Sequence, residues 1–334
     1  MPMKIESIWE ELETDNSFCR GLLLKRLSSK VKPEVYVALK APERLRCIAI
    51  RLHLNESLNM ASNINIREIQ IETFMDSNNQ ESNFLLVLLI NAEHSDIFSV
   101  LCEDLISAVQ DTTDEGILIG QLLFRLEKWQ MLFERLSQQG LSESAQIGLY
   151  GELHFLMNLL HHSDNLEYCV NSWKGPELAV QDFQFADQAV EVKATHGKNH
   201  QKIHIANERQ LDIAIVPHIF IYHVSLDVRR NLGENLNQIV SRLRDHLTAN
   251  PIASDSFRLK LLEAGYFDVH EHLYLETGYS IRQLNIYKVT DTFPKITESG
   301  VPAGVGDVSY SIIVGSAGSW SINEEELFGN LINC

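Results

Sequence analysis

The chain has 334 residues, of which 45% are hydrophobic and 22% charged, a balance typical of a folded globular protein. This composition excludes disordered, collagen-like and coiled-coil chains, and the length suits about two domains. The formal net charge of −17 argues against a general nucleic-acid coat protein, because neutralising phosphates requires Lys and Arg.

The first half predicts a mixed α+β domain. A short amphipathic helix at 5–12 precedes a series of strand-like apolar runs. Two helices follow, and a Gly near their end marks the predicted boundary between domains 1–140 and 141–334. The predicted strands are 21–27, 35–39, 47–54, 64–74 and 84–91, and the predicted helices are 96–109 and 117–136.

The second half predicts an α/β core with a β-rich C-terminal extension, so the chain is α+β overall. Ser142 or Ser144 is expected to begin a helix that runs to about 161. Three short strands, a helix and a strongly apolar strand follow, at 168–173, 181–185, 189–195, 207–213 and 218–226. Two further helices at 234–247 and 255–264 precede strands at 273–276, 280–289 and 309–314.

Sequence features also indicate the compartment. No apolar run approaches the ~20 residues needed to span a bilayer, and the N-terminus lacks a secretory signal. The five cysteines are scattered and form no C-x-x-C pair, so we expect neither a disulfide framework nor a zinc knuckle. These features predict a cytoplasmic protein that does not contact membranes.

Charge is unevenly distributed along the chain. Residues 20–51 carry nine Lys or Arg against two Glu, whereas residues 52–124 carry one Arg against twelve acids. The basic segment could face an anion, but a solvated face is the more economical interpretation of such a block.

The most informative segment is 180–195, where apolar and polar residues alternate on both sides of a short turn, the pattern of a β-hairpin. A tight turn at 186–187 places Asp182 opposite Glu191. Because side chains two residues apart share a face, Asp182, Glu191 and Lys193 should cluster. A turn one residue longer would shift the pairing but leave the two carboxylates as diagonal neighbours.

Two carboxylates at cross-strand distance repel each other unless a cation lies between them. Hard oxygen ligands at this spacing suit Mg²⁺, which favours one or two carboxylates together with water and substrate phosphate. A neighbouring Lys can hold the attacking water or neutralise charge on a phosphate. A solvated polar face is the alternative interpretation of the same hairpin.

The motif and the order of elements resemble the PD-(D/E)XK nuclease superfamily, whose core is a helix, a hairpin bearing D…(D/E)-x-K, a helix and another strand. Glu191, Val192 and Lys193 match the (D/E)-x-K element. Asp182 matches the first Asp, nine residues earlier. Gln181 stands where the superfamily motif has Pro, a departure that removes no metal ligand.

Glu152 on the preceding helix matches an acid that many superfamily members carry there. Together with the Trp-x-Gly-Pro run that begins at Trp173, the pattern is similar to the uncharacterised PD-(D/E)XK-motif proteins found with bacterial restriction and defence genes. The resemblance covers about residues 140–230. Gly148 and Gly151 flank Glu152 at a cost to helix stability, so we expect the helix to pack closely there.

The resemblance implies a role for each of these residues. Asp182, Glu191 and the Val192 carbonyl would hold Mg²⁺, with Mn²⁺ as an alternative. Lys193 would orient or activate water for attack on a phosphodiester. Glu152 would complete a second metal site or hold a metal-bound water, although a solvent-facing helix acid would look the same.

Three further side chains are candidates for substrate binding. Gln210, on the predicted helix 207–213, lies where relatives place a Gln that contacts DNA or the catalytic Lys. Lys198 and Lys202 lie in a loop next to the proposed site and suit contacts to a nucleic-acid backbone. A plain helix surface and a plain solvated loop are the alternatives. Thr195 is expected to be β-branched strand filler.

The resulting hypothesis is a Mg²⁺-dependent DNA endonuclease of a bacterial restriction or phage-defence system. Its N-terminal domain would recognise the target or a partner, such as an ATPase or methyltransferase, and a homodimer would allow both strands to be cut. One alternative is a catalytically silent adaptor with the nuclease fold, whose acidic segment 52–124 would suit a basic partner protein. Another is hydrolysis of RNA at the same site.

Overall fold

The computed structural model describes residues 5–15, 18–53, 69–76, 79, 82–92, 95–135, 140–177, 179–197 and 202–332. The chain divides into two compact units, Met1–Ser137 and Gln138–Cys334. None of the described helices is both long and apolar enough to cross a membrane.

The first unit contains an antiparallel sheet of five strands in the order β1-β2-β3-β5-β4. The strands are β1 (Leu22–Arg26), β2 (Val35–Lys40), β3 (Leu45–Leu52), β4 (Ile69–Met75) and β5 (Asn83–Leu89). Its helices are α1 (Ile5–Glu13), α2 (Ser95–Val109) and α3 (Glu115–Arg135). Helix α1 buries Ile5, Ile8 and Leu12, one face at helical spacing. Trp9, on the same face, donates its indole N–H to two carbonyls of the sheet.

The basic segment 20–51 forms ion pairs inside this unit. Its cations contact acids at 2.5 to 3.1 Å in the pairs Lys40–Glu72, Arg46–Glu6, Arg46–Glu13, Arg51–Glu34 and Arg51–Asp76. Much of the local positive charge is therefore neutralised by neighbouring carboxylates and is not presented to an external anion.

The second unit contains a mixed sheet in the order β10-β11-β9-β7-β6, with β13 paired to β11. Strands β7 and β9 are parallel, and the other pairs are antiparallel. The strands are β6 (Phe183–Gln184), β7 (Gln188–His196), β8 (Lys202–Ile205), β9 (His218–Arg230), β10 (Glu234–Asn235), β11 (Thr277–Val289), β12 (Tyr310–Ile313) and β13 (Ser321–Ile322). The helices are α4 (Glu143–His162), α5 (Leu166–Ser172), α6 (Leu236–Leu247), α7 (Pro251–Glu263), α8 (Glu271–Tyr274) and α9 (Glu324–Ile332).

The two faces of this sheet bury different clusters. On one face, Val190, Val192 and Phe220 join a core with residues of α4, α6, α7 and α9. On the other, Ile219 and Ile221 pack against the two-stranded ribbon formed by β8 and β12. This layered α/β core confirms the predicted fold class.

The predicted hairpin register is also confirmed. Phe183 pairs with Val190, and Phe185 N–H donates to the Gln188 carbonyl at 2.8 Å. Continued outward by one residue, the same register places position 182 opposite position 191. Helix α4 begins as expected, with Ser142 as its N-cap accepting a hydrogen bond from the Ala145 N–H.

Three predicted elements are wrong. Within the predicted strand 168–173, residues 168–172 lie in helix α5, because the Asn165 side chain caps that turn by accepting from the Tyr168 N–H, and only Trp173 forms a β-bridge. The predicted strand 273–276 includes the end of helix α8. Residues 207–211 form turns rather than a helix, since the Asn207 side chain accepts from the Arg209 N–H and competes with helical bonding.

Candidate active site

Glu191, in the middle of β7, is buried at 1% exposure yet surrounded by polar contacts. Its Oε1 lies 2.7 Å from Lys193 Nζ and accepts a hydrogen bond from Gln210 Nε2 at 2.8 Å. Its Oε2 is buried and has no hydrogen-bond partner among the residues that the structure describes. One carboxylate oxygen is therefore fixed while the other lacks a ligand, which is costly for a buried polar atom.

Asp182 precedes β6 and is held against β7 by its side chain. Its Oδ2 accepts a hydrogen bond from the Val192 N–H at 2.8 Å. Its backbone carbonyl accepts from the N–H groups of Lys174 and Gly175, at 2.6 and 2.9 Å. The Trp-x-Gly-Pro segment is thus folded directly onto Asp182.

Glu152 reaches the same place from helix α4. Its Oε2 accepts a hydrogen bond from the Trp173 indole at 2.7 Å. A Cβ added at Gly175 would lie 2.5 Å from Glu152 Oε2 and 3.3 Å from Asp182 Oδ1. The two acids therefore converge on Gly175, and a side chain at this position would displace the Glu152 carboxylate. The sequence pattern that includes Trp173 and Gly175 did not indicate that these two residues position Glu152 and Asp182.

The two glycines of α4 have different roles. A Cβ at Gly151 would lie 2.9 Å from Ala194 Cβ and 3.4 Å from Val192 Cγ1, so the helix does pack closely on β7 there. At Gly148, no described atom outside its own stretch of helix lies within 4 Å of such a Cβ. The expectation of close packing is right for Gly151 and wrong for Gly148, which lines a cavity.

That cavity has a volume of about 890 Å³, and predicted site residues lie together in its lining. Its lining includes Glu152, Asp182, Glu191, Val192, Lys193, Lys202 and Gln210. It also includes side chains that the motif does not contain, among them Thr195, His196, His204 and Ser311. Lys198 lies outside the described residues.

Gln210 lies on a turn rather than on the predicted helix, yet it contacts both charged groups of the motif. Its Oε1 accepts from the Ala206 N–H at 2.8 Å and lies 3.5 Å from Lys193 Nζ. Gln181, where the motif has Pro, donates its side-chain amide to the Gln210 carbonyl at 3.2 Å. The residue that departs from the superfamily pattern therefore anchors this turn.

Burial raises the pKa of all three carboxyl groups. The pKa of Glu191 rises to about 8 through burial and the charge of Asp182, against the opposing effect of Lys193. The pKa of Glu152 rises well above its usual value for the same two reasons. Burial also raises the pKa of Asp182, and Lys193 opposes that shift. A cation in the cleft would relieve this cost because it favours the charged forms.

The residues present fit a hard divalent cation. No group of three or more His, Cys, Asp or Glu side chains within the described ranges is arranged as a complete metal site. Mg²⁺, however, commonly takes only one or two carboxylates and fills its other positions with water and phosphate oxygens. Asp182 and the unpartnered Oε2 of Glu191 are donors of that kind.

An α/β core in which the β6–β7 hairpin carries an acid–acid–Lys set is characteristic of PD-(D/E)XK-type proteins. A family model described as "Putative PD-(D/E)XK family member, (DUF4420)" matches residues 5–315, and the chain belongs to this family. The resemblance to the superfamily is thereby confirmed. Superfamily members are typically nucleases and generally use divalent metals. No curated protein and no solved structure matches the chain.

Proposed function

We propose that this protein is a metal-dependent endonuclease that hydrolyses phosphodiester bonds of DNA. The observation that carries the proposal is the arrangement of Glu191 in the cleft. One of its oxygens is held by Lys193 and Gln210, while the other is buried without a partner among the described residues. A site for a cation beside a fixed ammonium group suits the in-line attack of water on a phosphate.

The metal ligands in this proposal are Asp182, Glu191 and the Val192 carbonyl, with Mg²⁺ as the cation and Mn²⁺ as an alternative. A divalent ion held by these residues would supply Lewis acidity toward a phosphoryl oxygen and water. The Val192 N–H holds Asp182 Oδ2 in place, so the orientation of this carboxylate is set before the ion arrives.

The remaining side chains act around that centre. Lys193 is half-buried, with 17% of its side chain exposed, and its ammonium orients water and offsets charge on the phosphate. Glu152, oriented by the Trp173 indole, completes a second metal site or holds a water. Lys202, together with Lys198, contacts the substrate backbone, which an otherwise acidic protein needs locally.

On the ground of the resemblance alone, we extend the proposal to a role in a bacterial restriction or phage-defence system, to partners such as an ATPase or methyltransferase, and to a homodimer. RNA is the alternative substrate at the same site. A cytoplasmic location and a first unit that recognises the target or the partner complete the proposal. The alternative function, a silent adaptor with a nuclease fold, differs in one respect that can be measured. It gives Lys193 no chemical role.

The test is cleavage of supercoiled plasmid, methylated and unmethylated, by the full chain with Mg²⁺, Mn²⁺ or EDTA. We expect metal-dependent nicking by the wild type and at least a hundredfold loss in Lys193→Ala and Asp182→Ala, since positioned acid–base and electrostatic groups contribute about that much or more. Lys288→Ala is the matched control, because Lys288 is a half-buried lysine of the same sheet outside the cavity lining.

Folding of each variant is checked by circular dichroism and thermal melting. Equal nicking by wild type and Lys193→Ala would contradict the assignment of the site. Absence of cleavage by the wild type, together with absence of calorimetric Mg²⁺ binding, would instead favour the adaptor.

A further inference from the structure

Thr195 continues the row of side chains that begins with the catalytic motif. Glu191, Lys193 and Thr195 occupy alternate positions of β7 and therefore share one face. Alternate positions lie about 6.6 Å apart, twice the rise per residue of a strand. That interval is close to the spacing of successive phosphates along a nucleic-acid strand. If one phosphate lies beside Lys193, the next one along the strand can reach Thr195.

The hydroxyl of Thr195 is oriented by a line of polar side chains across the sheet. Thr195 Oγ1 lies 2.9 Å from Nε2 of His223, which is fully buried on β9. Asn285 on β11 donates to His223 Nδ1 at 3.4 Å and accepts from the Gln283 amide at 3.0 Å. An acceptor at Nδ1 places the imidazole proton on Nε2, where it is donated to the Thr195 oxygen.

This arrangement has a consequence for the cleft. Because the Thr195 oxygen accepts from the imidazole, its own hydrogen can be donated into the cavity that it lines. The hydroxyl is therefore presented as a hydrogen-bond donor, which is the group that a phosphate oxygen requires.

The ribbon of β8 and β12 adds further donors to the same cavity. Ile203 and Ile205 of β8 are buried, whereas the alternate residues Lys202 and His204 are exposed and line the cavity. Ser311 of β12 pairs directly with His204 and lines it as well. Beyond Lys193, the described lining of the cavity thus contains one lysine and several hydroxyl or imidazole side chains, without a carboxylate.

We propose that Thr195, held by His223 and aided by Lys202, His204 and Ser311, forms a second phosphate subsite. It binds the backbone phosphate next to the one that is cut. This inference rests on the proposed nuclease function, because the first phosphate is assigned to the Asp182–Glu191–Lys193 centre. It adds a substrate requirement: two successive phosphates are recognised, and a single phosphate occupies only half of the site.

The test uses two small ligands that contain no phosphodiester bond and so cannot be cleaved in this way. Thymidine 5′-monophosphate carries one phosphate, and thymidine 3′,5′-bisphosphate carries two on the same nucleoside. Their affinities for the full chain are measured by calorimetry with Mg²⁺ present. The variants are Thr195→Val, which removes the hydroxyl at nearly constant shape, and Thr195→Ser, which retains it. Thr277→Val is the control, because Thr277 is a half-buried strand residue outside the cavity lining.

We expect the wild type to bind the bisphosphate at least tenfold more tightly than the monophosphate, since each hydrogen bond to a charged acceptor is worth about tenfold or more. Thr195→Val should lose roughly tenfold for the bisphosphate and little for the monophosphate, whereas Thr195→Ser and Thr277→Val should retain the wild-type ratio. Thermal melting checks that Thr195→Val is folded, because the substitution removes the contact between Thr195 Oγ1 and the buried imidazole of His223.

Two results would overturn the subsite: a wild type that does not prefer the bisphosphate, or a Thr195→Val protein with an unchanged preference. Plasmid cleavage measured on the same preparations separates this outcome from a failure of the proposed function. Plasmid cleavage without a preference for the bisphosphate would contradict the subsite and leave the proposed nuclease function in place. A preference that depends on Thr195, in a protein that neither nicks plasmid nor binds Mg²⁺, would contradict the nuclease function and support the subsite.

Discussion

The contact between helix α4 and strand β7 can be tested with two Gly→Ala substitutions three residues apart on one helix. In both Gly148→Ala and Gly151→Ala, alanine gains about 1 kcal/mol over glycine in helix propensity. The two positions differ in what the new methyl group meets. At 148 the added Cβ has no described neighbour within 4 Å beyond its own helix, whereas at 151 it would lie 2.9 Å from Ala194 Cβ.

Neither atom of that contact can rotate away, because each Cβ is attached directly to backbone. The helix or the strand must move by several tenths of an ångström, and overpacking of this kind typically costs about 1–3 kcal/mol. We therefore expect Gly148→Ala to stabilise the second unit by up to about 1 kcal/mol. Gly151→Ala should range from neutral to about 2 kcal/mol destabilised, which leaves about 1–3 kcal/mol between the variants.

The assay is calorimetric melting of the full chain, with urea denaturation followed by far-ultraviolet circular dichroism as a second measure. A difference of about 1 kcal/mol corresponds to roughly 2–4 °C for a unit of this size. Each variant is compared with the wild type and with the other, so that the shared helix-propensity gain cancels. If Gly151→Ala were as stable as Gly148→Ala or more stable, α4 would not approach β7 as described, and the position of Glu152 would lose its explanation.

Three further outcomes follow from the geometry of the acids. Because burial raises the pKa of Glu191 from 4.5 to about 8, metal-free protein should lose up to a few kcal/mol of stability as pH rises through that interval. Urea midpoints at pH 6 and 8.5 in EDTA measure this loss, which Glu191→Gln should reduce. Trp173→Phe removes the donor to Glu152 and should weaken calorimetric Mg²⁺ binding several-fold, and unchanged binding would contradict a role of this hydrogen bond in metal binding. Gly175→Ala should nick plasmid at least tenfold more slowly without unfolding, since its Cβ would lie 2.5 Å from Glu152 Oε2.

The hairpin of the candidate site could be predicted from sequence because its determinants are local. Alternation with a period of two assigns each side chain of 181–193 to a face, and a two-residue turn sets the pairing. Both are properties of residues adjacent in the chain. The same holds for the start of α4, where the Ser142 side chain caps its own helix. The order of helices and strands in the second unit could also be predicted, because each long apolar run has the period of a helix or a strand.

Short elements were harder to assign, because a run of five to seven apolar residues fits a strand or a buried helix equally well. In residues 166–172 the cap from Asn165 and burial of Cys169 and Val170 favour the helix. Around Gln210 the backbone follows side-chain hydrogen bonds from Asn207 and from Gln181, which is 29 residues away. Competition between such bonds and helix formation is decided by packing.

The chemistry of the site also depends on contacts between residues distant in sequence. Glu152 could be assigned to the cleft only by resemblance, since its indole partner is 21 residues away and the space it occupies depends on Gly175. Thr195 resembles strand filler until β9 brings His223 next to its hydroxyl. The residue types, their periodicity and the hairpin register are determined by neighbouring residues of the chain. The burial of the three acids, their raised pKa values and the direction of the Thr195 hydroxyl depend on the tertiary structure, because only packing of distant segments excludes water from the site.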